Sequence, residues 1–84
     1  MEVKEFVDSE GINHYQRWLK KLKTPAKAKV LTARARLELG NLSSVKWFSG
    51  VGEYRINWGP GLRIYITQEG NDVIILFCGG DKRT

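Results

Sequence analysis

Two segments in which apolar and polar residues alternate strictly constrain the fold of this chain more than any other feature. Residues Glu53 to Trp58 alternate in this way, and residues Leu62 to Thr67 do the same. A period of two residues is typical of a β-strand with one buried face. The intervening Gly59-Pro60-Gly61 is rich in turn-forming residues, so the sequence predicts a β-hairpin with a three-residue loop.

The alternation also predicts the register of this hairpin. If the two strands pair symmetrically about the loop, Arg55 lies opposite Tyr65 and Asn57 lies opposite Arg63. All the apolar side chains then share one face of the hairpin, and all the polar side chains share the other. A slip of one residue would mix the two faces, so the patterns of the two strands support each other.

A further strand is predicted from Asp72 to Cys78, joined to the hairpin by a tight turn at Gly70-Asn71. With a two-residue loop, the side chains of Ile75 and Phe77 face the helices. Three other apolar residues then share the polar face of the hairpin: Ile74, Leu76 and Cys78. Apolar residues on that face need a cover, which favours self-association through this face or a tightly bound partner.

The N-terminal half begins with a predicted strand from Glu2 to Val7, followed by a helix that Asp8 or Ser9 caps. Apolar residues at three- and four-residue spacing mark the buried side of this helix: Ile12, Tyr15, Trp18, Leu19 and Leu22.

A second helix is predicted with Thr24 as its N-cap, Pro25 at its first position and a stop at Gly40-Asn41. The order of elements is therefore β-α-α-β-β-β. Two helices on one face of an antiparallel sheet make an α+β fold, which we expect to form a single domain of residues 1–84.

Composition disfavours several classes of protein. No apolar run approaches the roughly 18 residues of a membrane span, and the N-terminus lacks the pattern of a secretory signal. One cysteine cannot form an internal disulfide, and one cysteine with one histidine disfavours a structural zinc site. We therefore expect a cytoplasmic protein that uses no metal and no cofactor.

Positive charge is concentrated in the two predicted helices. Between Arg17 and Arg36 the chain has eight basic residues and no acidic one, and its net charge is +5. Such a field attracts polyanions, among them RNA, DNA, an anionic membrane or an acidic protein. A solvated face of two helices has the same pattern. Four of these cations are candidates for binding nucleic acid: Lys20, Lys21, Lys27 and Arg34.

The polar face of the hairpin is the strongest candidate for a site of chemistry. The predicted register brings together four cations and a phenol: Arg55, Arg63, Tyr65, Lys82 and Arg83. Cations stabilise the charge of a pentavalent phosphorus, and a tyrosine or lysine crowded by cations moves protons more readily. RNA supplies its own nucleophile, the 2′-hydroxyl. The alternative is an ordinary solvated sheet face.

The other reactive side chains have weaker signals. His14 is predicted to lie on a helix surface without a partner, and Cys78 is predicted to be packed and not reactive. The aromatic residues Trp47, Phe48, Tyr54 and Trp58 can stack on bases, although packing in the core or at its rim is expected for most of them.

Several motifs resemble one family of proteins. The run GVGEYRINWGPGLRIY at residues 50–65 is similar to the signature of the phage-related addiction module killer proteins, a branch of the RelE/ParE superfamily of toxins. Three further motifs match in the same order: WLKKL at 18–22, LGN at 39–41 and LFCGGDK at 76–82. The resemblance therefore extends over nearly the whole chain.

The resemblance implies the toxin of a type II toxin–antitoxin system, with a helical hairpin on an antiparallel sheet. Its implied partners are an antitoxin with a helix-turn-helix, the ribosome and mRNA. RelE- and HigB-like toxins cleave mRNA in the ribosomal A site without a metal, which inhibits translation. By position, Arg63 corresponds to the arginine that contacts the scissile phosphate. The resemblance places other catalytic or RNA-binding side chains at Arg55, at Tyr65, and at Lys82 or Arg83.

One departure from the family bears on activity. Members of this branch continue past the Gly-Gly-Asp-Lys segment into a C-terminal helix, whereas this sequence stops at Thr84. We therefore expect weak or absent cleavage by this form. Two alternatives are a ParE-like inhibitor of DNA gyrase, and a non-catalytic form that binds only antitoxin or RNA.

Overall fold

The fold is a five-stranded sheet with two helices packed against one face, in a computed structural model that describes residues 1–59 and 61–79. The elements are β1 (Val3–Glu5), α1 (His14–Leu19), α2 (Thr24–Glu38), β2 (Val45–Phe48), β3 (Val51–Ile56), β4 (Leu62–Glu69) and β5 (Asp72–Gly79). The α+β class is thus confirmed. The strands lie in the order β1-β5-β4-β3-β2, so β5, β4 and β3 are interior and β1 and β2 form the edges.

The prediction of a four-stranded antiparallel sheet was wrong in two respects. β1 pairs parallel to β5, with Val3 beside Val73, so the sheet is mixed. β2, which pairs antiparallel to β3, was not predicted. It has four residues and no apolar–polar alternation, and a two-residue turn at Ser49-Gly50 with positive φ at both residues joins it to β3.

Gly52 allows β2 to pack closely on β3. A Cβ at Gly52 would lie 2.6 Å from the Val45 side chain, 2.9 Å from the Trp47 ring and 3.0 Å from the Ile66 side chain. Trp47 is the direct cross-strand neighbour of Gly52. A glycine is therefore required at this position because the indole ring and two aliphatic side chains occupy the space above it.

The register of the β3–β4 hairpin differs from the prediction by two residues. Arg55 lies opposite Arg63, and Glu53 lies opposite Tyr65. The connection extends from residue 57 to 61 and is longer than the predicted loop. A shift of two residues preserves which side chains share a face, so the predicted separation of apolar and polar faces is confirmed.

The β4–β5 hairpin has the predicted two-residue turn, with Glu69 opposite Asp72. An irregularity in the register at Tyr65/Ile66 leaves Leu76 as an extra residue in β5. Past this bulge the faces exchange, so Phe77 pairs with Tyr65 on the polar face and Cys78 packs against the core. The prediction placed these two side chains on the opposite faces, because an all-apolar strand carries no signal for a bulge.

The first helix begins later than predicted, at His14. Its N-cap is Asn13, whose side chain accepts the N–H of Gln16. Asp8 instead accepts the N–H groups of Glu10 and Ile12 and stabilises a turn before the helix. The second helix begins at Thr24, one residue earlier than predicted, and its N-cap Lys23 makes no side-chain cap.

The core lies between the helices and the facing side of the sheet. Its largest fully buried side chains are Tyr15, Val30, Leu37, Ile64, Ile66, Val73 and Ile75. Burying each aliphatic side chain of this size contributes about 1.5–3 kcal/mol. In the described part of the chain no helix is long and apolar enough to cross a membrane.

The four aromatic residues singled out in the sequence divide into two pairs. Tyr54 is buried and Trp58 packs against the core, as expected. Trp47 and Phe48 on the edge strand β2 are 41% and 46% exposed.

Candidate functional site

A buried carboxylate organises the polar face of the sheet. Glu53 on β3 is only 5% exposed, although it lies on the face opposite the helices. Its Oε1 accepts a hydrogen bond from Arg55 Nε at 2.7 Å, and its Oε2 accepts one from the Tyr65 hydroxyl at 3.2 Å. Arg63 Nε lies 3.9 Å from Oε2. We call these four residues the Glu53 cluster.

The cations around Glu53 keep its carboxylate charged. The hydrogen bond from Arg55 is the largest influence on its pKa, which lies below the usual value despite the opposing effect of burial. Tyr65 and Arg63 act in the same direction. At neutral pH Glu53 is therefore ionised, and its negative charge holds the two guanidinium groups and the phenol in place.

The two arginines of the cluster would repel each other without Glu53. Arg55 and Arg63 are direct cross-strand partners, and like charges in that position destabilise a sheet. Their side chains are 63% and 30% exposed. The cluster therefore presents two guanidinium groups to solvent with only one carboxylate between them, which leaves positive charge available for an anion.

Tyr65 is held from two sides. Its ring stacks on Phe77 of β5, with the ring centroids 4.8 Å apart and the planes 28° from parallel. A Cβ at Gly79 would lie 3.3 Å from the ring, so the neighbouring backbone also limits its position. These contacts and the bond to Glu53 fix the hydroxyl beside the arginines, where its oxygen can still accept a proton or a hydrogen bond.

This arrangement suits a phosphodiester. Guanidinium groups bind phosphate oxygens through paired N–H donors and retain their charge at all relevant pH values. A phenol next to an ionised carboxylate has a route for passing a proton inward. The structure brings together Arg55, Arg63 and Tyr65 from the predicted site, while Lys82 and Arg83 lie outside the described residues.

Glu53 was not among the candidate residues from the sequence. Cations and a phenol are the side chains expected to bind a phosphate, and an acidic residue does not fit that role when only the sequence is considered. Its position two residues before Arg55 was the available signal, because residues i and i+2 of a strand share one face.

The predicted nucleic-acid-binding cations of the helices lie in different surroundings. Lys20 and Lys21 are exposed, and Lys27 is half-buried. Arg34 forms an ion pair with Glu5, and its guanidinium lies 5.8 Å from the centre of the Tyr15 ring. This residue therefore connects α2 to β1 and α1.

The single histidine and the single cysteine have different outcomes. The expectation that His14 lacks a partner was wrong, since its Nε2 lies 2.7 Å from Asp8 Oδ2. The expectation that Cys78 is packed is confirmed, and burial raises the pKa of its thiol to about 12. Within residues 1–59 and 61–79, no three His, Cys, Asp or Glu side chains are grouped to hold a metal ion.

Comparison with known proteins gives one informative match. An uncharacterized protein of Haemophilus influenzae is 42% identical over 72 residues, which cover 83% of this chain and 73% of that protein. No protein-family profile matches the chain, and no solved structure matches it.

Proposed function

This chain belongs to the same family as the Haemophilus influenzae protein, and we propose that it is the toxin of a type II toxin–antitoxin pair that cleaves mRNA on the ribosome. The observation that carries the proposal is the Glu53 cluster, in which two arginines and a tyrosine surround one buried carboxylate. The motif that resembles RelE/ParE toxins, at residues 50–65, contains all four of these residues.

Under this proposal the reaction is attack of an RNA 2′-hydroxyl on the adjacent phosphorus. The new P–O bond gives a 2′,3′-cyclic phosphate, and the bond to the 5′-oxygen of the next nucleotide breaks. Arg63 and Arg55 stabilise the added negative charge on the phosphate oxygens as the pentavalent transition state forms.

Two proton transfers accompany the attack. The Tyr65 oxygen accepts the proton of the 2′-hydroxyl while its own proton passes to Glu53, 3.2 Å away. The low pKa of Glu53 makes it a weak base by itself, so its main contribution is to position Tyr65 and both arginines. The leaving 5′-oxygen also takes up a proton, and we assign its donation to Lys82 or Arg83, at the position where the related toxins carry a basic residue after the last strand.

The proposal implies partners and a location. The ribosome presents the mRNA to the Glu53 cluster, and an antitoxin with a helix-turn-helix neutralises the toxin by covering the cluster. A ribosomal target places the activity in the cytoplasm.

Primer extension on a reporter mRNA in a reconstituted bacterial translation system tests this function. We expect weak cuts that require ribosomes, and a loss of at least about 100-fold in this cleavage with Arg63→Ala, the usual effect of removing one group that stabilises a transition state. Arg17→Ala removes an exposed cation of α1 and is the charge-matched control.

Three results would contradict the proposal. They are cleavage that Arg63→Ala does not reduce, cleavage of free mRNA at the same rate as ribosome-bound mRNA, and inhibition of gyrase supercoiling without any mRNA cleavage. The last result would favour a ParE-like toxin.

A further inference from the structure

A groove of about 310 Å³ lies between α2 and the end of β3. β2 pairs with β3 only as far as Tyr54, so the last residues of β3 extend past the edge strand. The groove opens where that cover ends. None of the four helix cations that the sequence suggested for nucleic-acid binding lines this groove: Lys20, Lys21, Lys27 and Arg34.

Three cations line this groove. Lys29 and Arg36 are seven residues apart on α2, which places them on one helix face about 10 Å apart along the axis. Arg55 lines the groove from β3, and its guanidinium Nε donates to Glu53 on the face of the sheet opposite the helices. Among the described residues, the lining contains no acidic side chain, and neither Lys29 nor Arg36 forms an ion pair.

Three of the other six lining residues are polar, and of the remaining three, Ala33 and Tyr54 are almost fully buried. Ser44 and Asn57 supply a hydroxyl and an amide, both exposed. The proton of the Thr32 hydroxyl is bonded to the Ala28 carbonyl, so that hydroxyl can act only as an acceptor. Protein partners usually bury an apolar core at an interface, whereas the accessible part of this lining is mainly cationic and polar, which favours a ligand with repeated anionic groups and polar edges.

Arg55 joins the groove to the Glu53 cluster. It lines the groove and also donates to Glu53 at 2.7 Å. The cluster lies on the face of the sheet opposite the helices, so an anionic polymer that also occupies the groove must pass around the end of β3, where Arg55 lies, and carry charges on both sides of it. Single-stranded RNA meets this requirement because its phosphates repeat along the chain.

We propose that this groove, lined by Lys29, Arg36 and Arg55, binds the backbone phosphates of the RNA strand next to the nucleotide held at the Glu53 cluster. The inference rests on the proposed function for the identity of the polymer. Under this inference the main phosphate contacts on the helices are made by Lys29 and Arg36, and not by the four helix cations suggested from the sequence.

Fluorescence anisotropy with a 12-nucleotide fluorescein-labelled oligouridine tests the groove without any need for cleavage. We expect Lys29→Ala/Arg36→Ala to weaken binding at least 10-fold at about 0.1 M salt. The slope of log affinity against log salt should fall by about 1.4, because each phosphate contact with a single strand contributes about 0.7. Arg17→Ala/Lys23→Ala removes two exposed cations of the helical hairpin outside the groove and should cost less than 3-fold.

Equal losses for the two double variants would overturn the inference, because only net charge would then matter. It would also be overturned if an oligoglutamate of the same charge displaced the RNA equally well, which would indicate a site for an acidic protein.

The function and the groove can fail separately. Ribosome-dependent cleavage with unchanged oligouridine binding by Lys29→Ala/Arg36→Ala would overturn the groove alone. Selective loss of oligouridine binding in that variant, with no cleavage by the wild-type chain, would support the groove and contradict the proposed function.

Discussion

Replacing Glu53 by glutamine should destabilise the fold by an amount that depends on pH. The glutamine side chain keeps the shape of the glutamate but removes its charge, so the bonds from Arg55 and Tyr65 lose their charge assistance. A hydrogen bond to a charged group contributes about 1.5–3 kcal/mol. Because Arg55 is 63% exposed and remains hydrated in the variant, we expect a loss around or just below the lower limit of this range, about 1–2 kcal/mol.

The pH dependence follows from the lowered pKa of Glu53. The folded state binds its proton less readily than the unfolded state, whose carboxyl titrates near pH 4.3. The stabilisation by the charged form is therefore fully present above that pH and disappears as the pH falls through the lower folded pKa. The difference between wild type and Glu53→Gln should consequently be constant from pH 7 to about pH 5.5 and shrink below pH 4.

Urea denaturation followed by tryptophan fluorescence measures the free energy of unfolding of wild type and variant at each pH. In a separate thermal denaturation, a loss of about 1–2 kcal/mol corresponds to a decrease of about 5–15 °C in the midpoint for a domain of this size. Glu10→Gln removes an exposed carboxylate and should change the free energy of unfolding by less than about 0.5 kcal/mol at every pH. A Glu53→Gln variant as stable as wild type at pH 7, or a difference that grows towards pH 3, would refute the reasoning.

Three other variants or measurements test the packing. Gly52→Ala should lower the free energy of unfolding by about 1–3 kcal/mol, because the Trp47 ring lies 2.9 Å from the new Cβ. Adding Trp47→Ala to this variant should recover part of the loss. An unchanged midpoint of thermal denaturation in Gly52→Ala would contradict this packing. Arg34→Met should cost about 1–3 kcal/mol through its lost ion pair with β1, whereas Arg36→Met on the exposed side of the same helix should cost less than about 0.5 kcal/mol. Cys78 should react with iodoacetamide far more slowly at pH 8 in the native protein than in urea, since burial raises its pKa to about 12, and equal rates would show that the strand end is open.

The two β-hairpins of the C-terminal half show what sequence patterning can predict. Alternation in β3 and β4 identified both strands and their faces, because a buried face imposes a period of two residues. The turn at Gly70-Asn71 indicated the correct loop length, since a two-residue loop needs residues that accept positive φ. The loop length predicted at Gly59-Pro60-Gly61 was wrong: the connection extends from residue 57 to 61, and the register of the two strands is shifted by two residues.

The missed elements lack a local signal. β2 is too short to show a period, and it is stabilised by the contact of Trp47 with Gly52, which a linear pattern does not contain. The bulge at Leu76 lies in a strand with apolar residues on both faces, so nothing in the sequence marks the exchange of Phe77 and Cys78. Tertiary contacts decide both features.

The candidate site was predictable where it follows from strand alternation. Arg55, Arg63 and Tyr65 lie on one face as expected, because that face is fixed by the buried side chains between them. The role of Glu53 depends on distances between strands, and the groove at Lys29 depends on where β2 ends beside α2. Charge counting along the helices could not distinguish Lys29 from Arg34, which is paired with Glu5.

Single-turnover cleavage of ribosome-bound mRNA by cluster variants tests most directly whether the Glu53 cluster is a catalytic unit. We predict that Arg63→Ala and Glu53→Gln each reduce the rate by about 100-fold or more, while Arg17→Ala does not. The double variant Glu53→Gln/Arg63→Ala should be only slightly slower than the worse single variant, because residues that act together do not contribute additively. Wild-type rates in both single variants would contradict the account, as would a double variant in which the two effects multiply.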